Sequence, residues 1–169
     1  VVFFQEAVTI ADFTPDTNPF LSEWDRRFIH RAQEISSWSK DPKRKVGCVM
    51  VKDKRAICEG FNGFPEGLSD DLHRLKDSDY KNKVIIHAER NAIIDATRRG
   101  STLLGATAYI TRHPCSPCAS MLAQAGVKKI ICPAPVLSGS KWSDSFKIAS
   151  DLLCEVRVQV IYFDENHEF

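Results

Sequence analysis

Two short stretches constrain this chain more than anything else in it: His87-Ala88-Glu89, and Pro114-Cys115-Ser116-Pro117-Cys118. One imidazole and two thiols make three ligands of the kinds zinc takes, one short of the four that close a structural site. The open fourth position belongs to water, whose pKa a catalytic zinc lowers to roughly 7. Glu89 stands close enough to His87 to take the proton. A fold that uses these residues must bring both stretches to one point. Cys115 and Cys118 are three apart, so on a helix both sulfurs share one side of the first turn. Pro114 and Pro117 suit that start, because the first amides of a helix have no intrahelical partner. Those amides carry partial positive charge, which favours the thiolates. His87 sits where the apolar extended run Val84-Ile85-Ile86 gives way to a helical pattern. Two helix starts are thus predicted to converge on one metal.

Either half alone has other uses. A Cys-x-x-Cys pair also serves as a redox couple or as half of a structural zinc knuckle, and His-x-Glu is common. Together they favour a catalytic zinc, since a structural site needs a fourth ligand and gives Glu89 no task.

With 169 residues, the chain can bury about two thirds of its unfolded surface around a single core. Lys plus Arg (23) against Asp plus Glu (22) leaves a formal +1, which argues against a strongly electrostatic nucleic-acid binder. No apolar run is long enough for a membrane helix, so no membrane is expected. Val1-Val2-Phe3-Phe4 is broken at once by Gln5 and Glu6 and has no basic leader, so it does not read as a signal peptide. Cys48, Cys58, Cys132 and Cys154 lie in apolar contexts without ligand spacing, where cysteine acts as a small buried hydrophobe. A reduced, cytoplasmic protein is expected.

Residues 1–21 show no sustained period and read as an N-terminal arm, with residues 22–169 as the catalytic domain. Ser22 and Asp25 form a capping-box pattern, and Trp24, Phe28, Ala32 and Ile35 make one apolar stripe of a first helix. Asp41-Pro42 closes it, and the basic run Lys43-Arg44-Lys45 follows. Residues 46–51 and a strand starting at Ala56 read as a hairpin about Lys52-Asp53-Lys54. Residues 60–67, with three glycines, specify turns instead of a strand, and Phe61 and Phe64 suit a wall for a base and sugar. Residues 69–82 read as a long polar surface connection with room for a helical turn, and His73 in it has no partner at ligand spacing. Helices then start at His87 and Cys115, with strands at 106–111 and 127–132. Trp142, Phe146, Ala149 and Leu153 repeat at helical spacing before a last strand over 156–163. The order α-β-β-α-β-α-β-α-β, with a helix between the last strands, predicts a right-handed parallel crossover. The result is an α/β domain of three layers with a five-stranded mixed sheet.

His87-Ala88-Glu89 with Pro114-Cys115-Ser116-Pro117-Cys118 is the signature of the zinc-dependent nucleobase deaminases, and the chain resembles the cytidine deaminase superfamily. Within it, Gly60-Phe61-Asn62-Gly63-Phe64-Pro65 is similar to the Gly-Tyr-Asn-Gly-x-Pro loop of the deoxycytidylate (dCMP) deaminases. Val46-Gly47-Cys48-Val49 resembles their Val-Gly-Ala-Val strand, and Ala123-Gln124-Ala125-Gly126-Val127 the run after their second helix. The resemblance implies a cytidine deaminase-like α/β/α fold, Zn2+ on His87, Cys115 and Cys118, and hydrolysis of dCMP to dUMP and ammonia. Glu89 would carry protons, while Asn62 and the Ala88 backbone would contact sugar and base. It also implies a homo-oligomer, hexamer or dimer, with dCTP and dTTP as effectors. His113 stands where the family carries a small or acidic residue and reads as pocket wall. Lys45, in the basic run, is a candidate for the 5′ phosphate. Another base or nucleotide, tRNA or single-stranded DNA is the alternative substrate; a polynucleotide would call for a basic track with exposed aromatics.

Overall fold

The computed structural model describes residues 21–164. The expected arm lies outside them, apart from Leu21, which is buried beneath the first helix. That helix, α1 (Glu23–Ser37), starts where the sequence places it: Ser22 Oγ accepts from the Asp25 amide, and Asp25 accepts from the Ser22 amide in return. Its buried face is Asp25, Phe28, Ile29, Ala32 and Ile35, whereas Trp24 is exposed. The stripe is rotated because Asp25 is drawn inward by the Tyr109 hydroxyl, which donates to it at 2.7 Å.

Strands β1 (Gly47–Lys52) and β2 (Arg55–Phe61) form the expected antiparallel hairpin. Gly60 and Phe61 belong to β2 and not to a loop. A side chain at position 60 would meet the backbone of the helix behind it, Ala92 N at 2.4 Å and Ala88 O at 2.6 Å, so glycine is needed for close approach. The polar segment read as a connection contains two short helices, α2 (Leu72–Lys76) and α3 (Ser78–Val84), capped by Asp71 and Asp77. Val84 ends α3, and only Ile85 and Ile86 are extended, Ile86 bridging Gly63. No apolar period announces α2 and α3, because each buries a single side chain, Leu75 and Lys81.

Then come α4 (Ala88–Arg99), β3 (Thr107–Ile110), α5 (Ser116–Gln124), β4 (Lys129–Pro133), α6 (Ser143–Glu155) and β5 (Gln159–Phe163). The sheet order is β2-β1-β3-β4-β5, with β1 antiparallel to both neighbours and β3, β4 and β5 parallel. This is the mixed sheet the sequence predicts. Side chains alternate across it: Val49, Val51, Tyr109 and Ile131 pack under α1, while Cys48, Met50, Ala108, Ile110 and Ile130 pack on α4, α5 and α6. Small residues on α4 (Ala88, Ala92 and Ala96) let it lie close to the sheet. Of the cysteines without ligand spacing, Cys48, Cys58 and Cys132 are buried as expected, but Cys154 is exposed on α6. Among the described residues no helix is long and apolar enough to cross a membrane.

Candidate active site

The antiparallel bridge between Gly63 and Ile86 ties the chain down before α4 and sets His87 as its N-cap. Strand β3 delivers the other half, with Cys115 as the N-cap of α5 and proline in its first turn. The His87 side chain makes no cap bond to α4, and the Cys115 side chain lies over the first turn of α5 beside Cys118, so the two helix starts face one point. His87 Nδ1 lies 3.5 Å from Cys115 Sγ and 3.5 Å from Cys118 Sγ. All three donor atoms fall within 4.8 Å of one another. Zn–S of about 2.3 Å and Zn–N of about 2.05 Å at the tetrahedral angle give an S···N edge of about 3.6 Å, so the cluster fits zinc.

The donor electrostatics agree. The Cys118 thiol and His87 hold Cys115 low as a thiolate, although burial opposes this. Cys118 is pushed up, first by its bond to Cys115 and then by burial and Glu89. Two adjacent sulfurs beside a carboxyl resist ionising together, and a cation between them would hold both as thiolates. Glu89, 4% exposed, lies beside His87 and Cys118. Burial pushes its carboxyl up, against the pull of His87 and its own amide. A buried carboxyl beside the donor cluster is placed to exchange protons there.

This cluster lies in a cavity of about 600 Å³. His87, Ala88, Glu89 and Cys115 line it on the metal side; Trp142, just before α6, lines it from the loop after β4. The Trp142 ring stands edge-on to His87 at 6.1 Å, a contact that the helical-stripe reading of Trp142 missed. Asn62 also lines the cavity, with its amide largely engaged: Oδ1 accepts from Val46 N at 2.7 Å and Nδ2 donates to Arg44 O at 2.9 Å. Lys45 lines it and donates to Ser37 O at 3.3 Å. His113 lines it too, 3% exposed, its Nδ1–H donating to Pro114 O at 3.0 Å and its ring packed on Phe146 and Tyr162. Burial pushes His113 down to about 4, so the ring is neutral at physiological pH. Phe64 does not line the cavity and packs edge-on against Tyr80 of α3. Sequence reasoning missed Asp41 and Lys81, which meet on the cavity wall as an ion pair at 2.9 Å.

Residues 22–134 match the family model of the cytidine and deoxycytidylate deaminase zinc-binding region. The chain belongs to this family. Its cofactor is zinc, and it is a hydrolytic deaminase. Over 119 residues it is 44% identical to the probable deoxycytidylate deaminase of Caenorhabditis elegans, covering 68% of this chain but only 59% of that one. An uncharacterized deaminase of Aliivibrio fischeri, encoded in the luxG 3' region, is 35% identical over 143 residues, covering 84% of this chain and 95% of its own. The crystal structure of the cyanophage S-TIM5 dCMP deaminase in complex with dCMP and dUMP superposes with a TM-score of 0.71 at 27% identity, covering 85% of this chain and 98% of that one.

Proposed function

We propose that this deaminase converts dCMP to dUMP and ammonia. The observation that carries the reading is a buried carboxylate, Glu89, set beside a three-donor zinc cluster inside a cavity rimmed by Lys43, Arg44 and Lys45. The likeness to the cyanophage enzyme solved with dCMP and dUMP supports the same substrate. In this reading His87, Cys115 and Cys118 hold the zinc. The metal supplies a water whose pKa is lowered to about 7. Glu89 would take one proton from that water and pass it to ring N3 of cytosine as the C4–O bond forms, then take the second proton from the C4 hydroxyl and give it to the amine as the C4–N bond breaks, so that ammonia leaves and uracil remains. The Ala88 amide, Asn62 and His113 position base and sugar, with Phe64 bracing α3 through Tyr80. Lys45 and its neighbours meet the 5′ phosphate. A charge-assisted phosphate contact of roughly 1.5–3 kcal/mol favours dCMP over deoxycytidine by about ten- to a hundredfold in kcat/KM.

Residues 22–169 form the catalytic domain in this reading, with residues 1–21 as an arm, and the protein works in the cytoplasm as a homo-oligomer, hexamer or dimer, under dCTP and dTTP control. Six free cysteines suit a reducing compartment. A product assay of the zinc-loaded protein on dCMP, CMP, deoxycytidine, dCTP, guanine and single-stranded DNA tests the substrate. Equimolar dUMP and ammonia from dCMP, with deoxycytidine turned over more slowly, is expected. Preferential turnover of any other of these compounds overturns it.

A further inference from the structure

Asp41 and Lys81 are separated by 40 positions in sequence and form an ion pair inside the cavity lining. Lys81 Nζ donates to Asp41 Oδ1 at 3.0 Å and to Oδ2 at 2.9 Å, with the two side chains 8% and 4% exposed. Asp41 Oδ1 also accepts the backbone amides of Lys43 at 2.8 Å and Arg44 at 3.2 Å. The carboxylate therefore fixes the turn carrying the basic run and fastens it to α3. Burying two opposite charges costs desolvation that their attraction barely offsets, so stability alone explains the pair poorly. Lysine carries three N–H groups. Two go to Asp41, and no other acceptor for Nζ lies among the described residues, which leaves one N–H uncommitted. The cavity that Lys81 lines also carries Lys43, Arg44 and Lys45 of the turn, and Arg112 and Lys141 over Phe146 and Trp142, against only Asp41 and Glu89 as acids. An excess of cations around an ordered turn fits a compact dianion.

We propose that the Asp41–Lys81 pair organises an anion subsite for the 5′ phosphate of a free nucleotide, with Lys81 as a phosphate donor and Asp41 as a positioning residue. This rests on the reading of the substrate as a nucleoside monophosphate. Asp41 gathers Lys81 Nζ and the turn at Lys43 and Arg44 to one point, so that ordering the cationic groups is done before the nucleotide arrives. Preorganisation of this kind acts on binding more than on the chemical step.

The test compares kcat/KM on dCMP and on deoxycytidine for zinc-loaded wild type, Lys81→Met, Lys81→Arg and the double variant Asp41→Asn/Lys81→Met. The double variant removes both buried charges at similar volume, so it folds where a single change would strand one charge. The dCMP-to-deoxycytidine ratio is expected to fall about tenfold or more in the double variant, chiefly through KM for dCMP, while Lys81→Arg restores most of it. In the wild type, inorganic phosphate at millimolar concentration is expected to compete with dCMP and to raise the melting temperature. An unchanged ratio, equal losses on both substrates, or a wild type indifferent to inorganic phosphate overturns the proposal. A wild type that prefers deoxycytidine to dCMP overturns the monophosphate reading itself, and the subsite with it.

Discussion

The metal side of the cavity is made by two helix starts 28 positions apart, each carrying its donors in its own cap or first turn, whereas the basic wall depends on one buried ion pair between side chains 40 positions apart that no local pattern announces. On the metal side, geometry follows from local rules: an N-cap histidine, a Cys-x-x-Cys on a first helical turn, and prolines that start it. On the wall, Asp41 is held both by the amides of its own turn and by Lys81 of α3, and Asn62, just after β2, reaches back to hold Val46 and Arg44. The metal side should therefore fail all at once when a ligand is lost. The wall should fail by degrees, in substrate selection before chemistry.

The sharpest break is Cys118→Ala, which removes one of three donors. It is expected to lose stoichiometric zinc and all measurable deamination, while Cys132→Ala, buried on β4 but outside the cluster, keeps one zinc per chain. Metal analysis of the two purified variants checks this, and equal zinc loss in both would put the cluster in doubt.

Asn62→Ala is expected to have an intermediate effect on the wall. It removes the side-chain partners of Val46 N and Arg44 O, for a loss of about 2 kcal/mol by chemical denaturation. Zinc should stay bound, and kcat/KM on dCMP should drop. Zinc loss in this variant would show that the two sides of the cavity are one cooperative unit.

The smallest effect is expected at Tyr109→Phe, beneath α1 and away from the cavity lining. Burial works against ionisation of Asp25, but the Ser22 hydroxyl, the Tyr109 hydroxyl, the Ser22 amide and Lys129 outweigh it and hold the carboxyl below its ordinary range. Its stabilisation is thus present above the unfolded value of about 3.9 and is lost as pH falls through the lower folded value. Without the Tyr109 hydroxyl the folded value rises toward the ordinary one. About 1.5 kcal/mol should be lost at neutral pH, with a smaller further loss on acidification than in wild type. Melting curves between pH 7 and pH 3 measure it, and dCMP turnover at neutral pH should not respond. A change in turnover would mean that the α1 face of the sheet communicates with the cavity.

The same contrast accounts for what could be read from the sequence. The sheet, its four long helices and the His87, Glu89, Cys115 and Cys118 constellation were legible because each is written in a local period or spacing. The short helices α2 and α3 were not, since each buries one side chain and is held by aspartate caps in a polar stretch. Lys81 lay in that stretch, and Asp41 read as no more than a helix stop. Gly60 and Phe61 read as turn because glycine is poor in strands, yet position 60 needs glycine for the approach of α4. Trp142 fitted a helical stripe by spacing, but as the residue before α6 it turns to His87.

The central claim is that Glu89 moves protons beside a zinc held by other residues. Glu89→Gln keeps the size of the side chain and removes the proton acceptor. Zinc content and kcat on dCMP, measured on the same preparation, test the claim most directly. One zinc per chain, with kcat lowered by roughly 10²–10⁴, is the expected result. A variant that retains more than about a tenth of wild-type kcat with its zinc in place would contradict it.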